Sequence, residues 1–76
     1  MLKRDEIADP TSCWNKAKDD DIVFILLQGD DASPETIRFW VNKRIELGKN
    51  KPGDRKMVTA LQAADAIEAM QATKAV

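Results

Sequence analysis

The feature that most constrains the fold is a polar turn with Pro-Gly at positions 52–53, which lies between two stretches of helical periodicity. Apolar side chains recur every three or four residues on both sides of this turn, as they do along one face of an α-helix. A helix does not easily continue through Pro-Gly. The sequence therefore predicts an αα-hairpin with helices at about 34–47 and 55–71.

Both predicted helices have start signals, and the first also has a stop signal. Ser33 offers an N-cap hydroxyl, Pro34 suits the first helical position, and Gly48 suits the residue after the last turn. Asp54 is expected to cap the second helix. The first core stripe is predicted to contain Ile37, Trp40, Val41, Arg44 and Ile45. The second contains Met57, Ala60, Leu61, Ala64, Ile67 and Met70.

The apolar run Ile22–Leu27 is harder to assign, because its residue types suit a strand and its context does not. A buried helix is the favoured interpretation, since the carboxylates of Asp19–Asp21 suit a helix N-terminus and Gly29 suits its end. The alternative is a strand that pairs with the same run of another subunit, because no second strand is visible in the chain.

The N-terminal third is predicted to add a short helical segment to a single domain over residues 1–76. Residues 1–10 are expected to form a flexible arm that Pro10 separates from the rest of the chain. Thr11 or Ser12 is expected to cap a helix through Lys18. The predicted fold class is thus mainly α.

A chain of 76 residues buries a thin core. Domains of this size seldom gain more than about 3–5 kcal/mol from the core without a disulfide, a metal or a partner chain. One Cys cannot form an internal disulfide, and with no His the zinc ligand sets built from Cys and His are missing. The sequence therefore predicts a homo-oligomer.

Catalysis is not expected, because the chain has no His, no Tyr and no Gly-rich phosphate loop. No cofactor is predicted. The acidic residues at 19–21 and 30–31 lack the spacing of a calcium loop, so a solvated acidic edge is expected and not a metal site. Nucleic-acid binding is not expected either, because the net charge is −1 despite a basic stretch between the long helices.

The expected location is the cytoplasm. Met1–Pro10 is charged and no apolar signal-peptide core comes after it. The longest apolar run has six residues, whereas a membrane-spanning helix needs about 20. No membrane partner is therefore predicted.

Residues 12–16 are the candidate ligand-binding segment. They combine a hydroxyl, a thiol, an indole, an amide and an ammonium group, and the predicted ligand contacts are Ser12, Trp14, Asn15 and Lys16, with Arg38 adding a charge-assisted bond. The alternative is that Ser12 only caps a helix and that Cys13 and Trp14 enter the core. Phe39 lies off the core stripe and is the candidate partner-binding residue.

The order of these residues resembles a group of short proteins of tailed phages and prophages. The group shares a Ser-Cys-x-Asn-Lys-Ala segment, a Phe-containing apolar run, an Asp, and a Pro followed by Arg and Trp. The matching positions are Ser12, Cys13, Asn15, Lys16, Ala17, Phe24, Asp30, Pro34, Arg38 and Trp40. The resemblance spans roughly residues 8–70 and departs at Ile22, where the group often has Pro, and at Ser33, where it often has Ala.

The resemblance implies a phage source and no mechanism. Small phage accessory proteins commonly counter host defences, which is an argument by class. We therefore expect a non-enzymatic, counter-defence protein in a bacterial host that sequesters a small anionic ligand, such as a nucleotide immune signal, as an oligomer. The alternative is a protein that inhibits a host enzyme or defence complex by direct contact.

Overall fold

Residues 1–74 fold into four helices. A computed structural model describes residues 1–74, and its helices are α1 (Lys3–Ala8), α2 (Cys13–Lys16), α3 (Ser33–Glu46) and α4 (Arg55–Lys74). No strand occurs within this part of the chain. The mainly α prediction is confirmed, and α3 and α4 form the predicted hairpin.

The core lies between α3 and α4. Val41, Met57 and Ala60 are buried there, and Ile37 and Ile45 pack against them. Ala60 and Ala64 present only methyl groups, which lets α3 approach α4 closely. The hairpin is therefore closed by a single thin layer of side chains.

The connection between α3 and α4 begins with a glycine cap. Gly48 has a φ of +73°, and the next residue, Lys49, donates its N–H to the Arg44 carbonyl at 3.0 Å. This is the pattern of a Schellman cap and confirms the predicted helix end. Asp54 directly precedes α4 as predicted, but its carboxylate closes the loop by accepting from Lys51 N and from Asn50 Nδ2.

Ser33 does not act as the N-cap that the sequence predicted. The capping position is Ala32, which makes no side-chain cap bond, and the Ser33 hydroxyl instead donates to the Leu27 carbonyl at 2.8 Å. Ser33 is fully buried. Asp30 Oδ1 accepts from Ala32 N and turns the chain into α3. The prediction is wrong because the hydroxyl faces inward, toward the preceding segment.

Trp40 is not a core residue, contrary to the predicted stripe. Its side chain remains 38% exposed. Arg44 Cζ and Lys56 Nζ lie 5.8 and 5.7 Å from the ring centroid. The face of an indole attracts cations. Because the ring is partly solvated, both cations stay hydrated.

The favoured prediction of a helix at Ile22–Leu27 is wrong, since these residues form no helix. Asp21 folds back instead of capping a helix, because its Oδ2 accepts from Lys18 N at 2.8 Å. Three β-branched residues in a run of six also lose side-chain freedom in a helix, and so short a helix is not stable alone. The alternative, a strand paired between subunits, stays a prediction.

The N-terminal third contains α1 and α2. Ser12 caps α2 as predicted, although α2 ends at Lys16 and not at Lys18. Helix α1 lies within residues 1–10, where a flexible arm was expected. Among residues 1–74, no helix is long and apolar enough to span a bilayer.

Candidate functional site

Two of the predicted ligand-binding residues hold α1 against α2. Ser12 is buried, donates its hydroxyl to the Glu6 carbonyl and accepts from Asn15 N at 3.2 Å. Asn15 Nδ2 lies 3.1, 2.8 and 2.8 Å from the carbonyl oxygens of Glu6, Ile7 and Asp9. The Ser12 hydroxyl and the Asn15 Nδ2 group are therefore already bonded to the backbone of the same chain.

The other two residues of that segment face solvent. Trp14 is 50% exposed, and Lys16 is exposed and takes part in no ion pair that the described side chains form. Cys13 is an exposed free thiol. The alternative in which Cys13 and Trp14 enter the core is wrong, because the unit formed by the two short helices α1 and α2 is too small to bury them. Helix α2 thus exposes an indole and an ammonium group that lie two residues apart.

Arg38 connects the two long helices. Its Nη1 donates to Glu68 Oε2 at 2.7 Å and its Nη2 to Asp65 Oδ1 at 2.8 Å. The hydrogen bond from Arg38, and then its charge, lower the pKa of Glu68 below its usual value. The hydrogen bonds and ion pairs of residues 1–74 do not bring Arg38 to Ser12–Lys16. Its predicted role in binding an anion stays a prediction.

Phe39 lies on the solvent side of α3, with 68% of the residue exposed. Sequence reasoning expected this exposure from its position off the core stripe. The neighbours of Phe39 one turn away along α3, Glu35 and Lys43, are charged and exposed. Phe39 is therefore an isolated aromatic side chain on a polar face.

A larger apolar surface lies elsewhere, along the run Ile22–Leu27. Ile22 and Phe24 are 101% and 84% exposed, and Val23, Ile25 and Leu27 are between 55% and 67% exposed. Leu26 is half-buried, whereas the other five residues of the run are exposed. We refer to Ile22–Leu27 as the apolar segment.

The apolar segment lies between a local turn and two anchors on the hairpin. Before it, Asp21 N donates to the Lys18 carbonyl at 3.0 Å and closes the turn. After it, Gln71 Nε2 of α4 donates to the carbonyls of Gln28 and Asp30 at 3.0 and 2.8 Å. Together with the Ser33 bond to Leu27, the Gln71 bonds fix where the segment joins the hairpin.

Between the Lys18–Asp21 turn and the anchors on the hairpin, the backbone of the apolar segment is unpaired. No hydrogen bond to a described group involves the N–H or C=O of any residue from Ile22 to Leu26. Solvent satisfies exposed groups of this kind, and another polypeptide can replace that solvent. The segment therefore presents apolar side chains and free backbone groups at the same time.

One side of the apolar segment forms a wall of an open groove of about 940 Å³. Side chains of α2, α3 and α4 form most of the rest of the groove, which is mainly apolar. Its aromatic and aliphatic lining includes Trp14, Phe24, Leu26, Ile37, Trp40 and Ala60. Lys3 and Glu6 of α1 also line it and add one charge of each sign. A groove of this composition suits apolar side chains with a polar rim.

A smaller cleft of about 520 Å³ lies between α1 and the start of α4. Asp5, Glu6 and Asp9 line one side, and Arg55 and Lys56 line the other. The hydroxyl and the N–H of Thr11 bond to Asp9 and lower its pKa, with a small further contribution from Arg55. Opposite charges already face each other across this cleft, so it attracts neither anions nor cations strongly.

The described residues bring no three His, Cys, Asp or Glu side chains together as a metal site. Sequence reasoning did not identify the apolar segment as a surface, although its unbroken apolar pattern without helical or strand periodicity is a signal of a segment without a partner in its own chain. No protein-family model, curated protein or solved structure matches the chain. The apolar segment and its groove are therefore the surface from which a function can be inferred.

Proposed function

We propose that the protein is a non-enzymatic binding protein that contacts another polypeptide through the apolar segment and the adjoining groove. Taking on the order of 200 Å² for a fully exposed residue of this size, the segment exposes roughly 700 Å² of side chain and backbone together. Its apolar part is comparable with the largest apolar patch of a typical monomer, about 300–600 Å², which is often functional. This exposed area is the observation that carries the proposal.

The shape of the surface supports a protein partner over a small molecule. Trp14, Phe24 and Trp40 line an open groove where three large aromatic rings can cover side chains of a partner. The bonds of Ser33 and Gln71 at the C-terminal end of the segment reduce the ordering that binding would require. The resemblance to phage proteins directs the search toward proteins of a bacterial host, as in the inhibitor hypothesis.

The two phenylalanines provide a matched experiment, because both are mostly exposed and lie on different surfaces. Tagged wild-type protein, Phe24→Asp and Phe39→Asp are used to capture proteins from a bacterial lysate, with circular dichroism confirming equal helix content. The proposal expects a stoichiometric protein retained by wild type and by Phe39→Asp but lost with Phe24→Asp. Loss with Phe39→Asp alone, or capture that neither substitution changes, would contradict it.

A second candidate is capture of a small anionic ligand, such as a nucleotide, by the Trp14 and Lys16 side chains. The observation in its favour is that both groups are exposed on α2, where Ser12 and Asn15 hold the backbone. An indole can stack on a base, and an ammonium group can bind phosphate. In this candidate Ser12 and Asn15 support the site and do not contact the ligand.

Thermal-shift assays with cyclic and linear nucleotides test the second candidate. It expects stabilisation that Lys16→Ala removes and Lys18→Ala retains, since Lys18 is also exposed and lies two residues away. Absence of a shift with every nucleotide, or equal loss in both variants, would argue against it.

A further inference from the structure

We propose that two copies of the chain pair through the backbone of the apolar segment, as antiparallel strands related by a two-fold axis. This inference goes beyond the binding function and does not depend on it. An extended segment directs its backbone groups sideways and its side chains up and down. The same segment can therefore pair along its edge with a second copy while its side chains still line the groove.

The residue types of the segment favour strand pairing. Ile22, Val23, Phe24 and Ile25 are β-branched or aromatic, which suits cross-strand packing. Each residue from Ile22 to Leu26 has an N–H and a C=O that no described group pairs. The segment thus has the composition of a strand and the free backbone groups that pairing requires.

The flanking charges favour the antiparallel direction. Asp19, Asp20 and Asp21 precede the segment, whereas Gln28 and Gly29 come after it. In a parallel, in-register pair the three carboxylates of one copy would lie beside those of the other, and like charges opposite each other are destabilising. A two-fold antiparallel pair places one residue opposite its own copy, because directly opposite residues share a face of the sheet. With Phe24 on the axis, Ile22 lies opposite Leu26 and Val23 lies opposite Ile25. Asp21, Asp20 and Asp19 then lie opposite Leu27, Gln28 and Gly29, and Lys18 lies opposite Asp30.

The exposed area matches what a dimer needs. A standard interface buries about 800 Å² on each partner. The apolar segment presents roughly 700 Å² by its exposed fractions, and the exposed parts of Trp14 and Trp40 add to it. In such a pair the apolar side chains of one copy lie beside those of the other on each face of the two-stranded sheet.

Proline provides the first test, because it removes an N–H and the apolar segment lies outside the helices. Alternate N–H groups of a strand face its neighbour, so those of Ile22 and Ile25 point to opposite edges. Sedimentation equilibrium of the full chain at micromolar concentrations is expected to show a dimer for wild type, Ile22→Val and Ile25→Val. One of the two variants Ile22→Pro and Ile25→Pro is expected to raise the dimer dissociation constant by about tenfold or more, since each copy then loses a donor. A wild-type monomer throughout this range, or a dimer that both proline variants leave intact, would overturn the proposal.

Cysteine crosslinking tests the direction of pairing in a Cys13→Ser background. Phe24→Cys lies on the two-fold axis opposite its own copy, whereas two copies of Ile22→Cys are offset by four residues, or about 13 Å at 3.3 Å per residue. A disulfide requires Cα atoms within about 7 Å. The proposal expects crosslinking at position 24 and little at position 22, although Ile22 is the more exposed residue. Faster or equal crosslinking at position 22 would overturn the antiparallel arrangement.

Discussion

Truncation of Met57 should test how much of the stability rests on the thin layer between α3 and α4. Met57 is fully buried and packs in one cluster with Val41 and Ala60, with Ile37 and Ile45 against it. Met→Ala at a buried site costs about 2–5 kcal/mol. A domain of 76 residues has a total stability of about 4–11 kcal/mol at 0.05–0.15 kcal/mol per residue.

We expect Met57→Ala to lower the free energy of unfolding by about 3 kcal/mol, because its alanine neighbour on α4 cannot fill the space. This loss is a large share of the total. With an m-value of about 1 kcal/mol per M urea, the unfolding midpoint should fall by roughly 2–3 M. Urea titrations monitored by helix ellipticity and tryptophan fluorescence measure it, at one protein concentration because association stabilises the folded chain.

Two variants serve as controls for Met57→Ala. Met57→Leu nearly conserves volume and should cost less than about 1.5 kcal/mol. Leu61→Ala removes a side chain of similar size from the same helix at a partly exposed position, and should cost less than Met57→Ala. A loss for Met57→Ala below about 1 kcal/mol, or equal to that of Leu61→Ala, would refute the assignment of the core to this layer.

Three further predictions concern the cap, an ion pair and the N-terminal unit. Gly48→Ala should lower the free energy of unfolding by about 1–2 kcal/mol, because Gly48 is the one described residue with a positive φ. Gly53→Ala should be close to neutral in the same urea titration, because an added methyl group contacts no atom at either glycine and Gly53 has no positive φ. Arg38 lowers the pKa of Glu68 below its ordinary 4.5, so this pair stabilises the fold above that pH and the stabilisation is lost as pH falls through the folded pKa. Melting temperatures measured from pH 7 to 2 should therefore fall more in wild type than in Glu68→Gln, and parallel curves would contradict this. Asn15→Ala should speed hydrogen exchange of the α1 amides while those of α3 and α4 stay protected, and unchanged α1 exchange would show that Asn15 does not hold the unit.

The hairpin was predictable because its signals are local and agree with one another. Periodic apolar residues, the Pro-Gly turn and a glycine after the last turn all act within a few residues of the positions that they define. Gly48 shows this well, since its left-handed backbone could be expected from the sequence alone. The length and position of α3 and α4 were predictable from the same signals.

The candidate site was less predictable because it depends on contacts between distant residues. The sequence marks Ser33 as a cap, but only its burial against Leu27 shows that the hydroxyl turns inward. Likewise, Asn15 and Arg38 carry polar groups that suit a ligand, and residues six to thirty positions away already bind them. Composition does not reveal which polar groups remain free for a partner.

The bonds from Gln71 to the backbone after the apolar segment have a consequence for the order of folding. Gln71 lies 43 residues beyond Gln28 in the chain. At roughly 5–20 residues per second, a ribosome needs about 2–9 s to add them. Helix–helix contacts form within microseconds to milliseconds once both helices exist. During synthesis the apolar segment is therefore complete seconds before Gln71 exists to bind the backbone that follows it. A chaperone or another nascent chain can reach the segment in that interval.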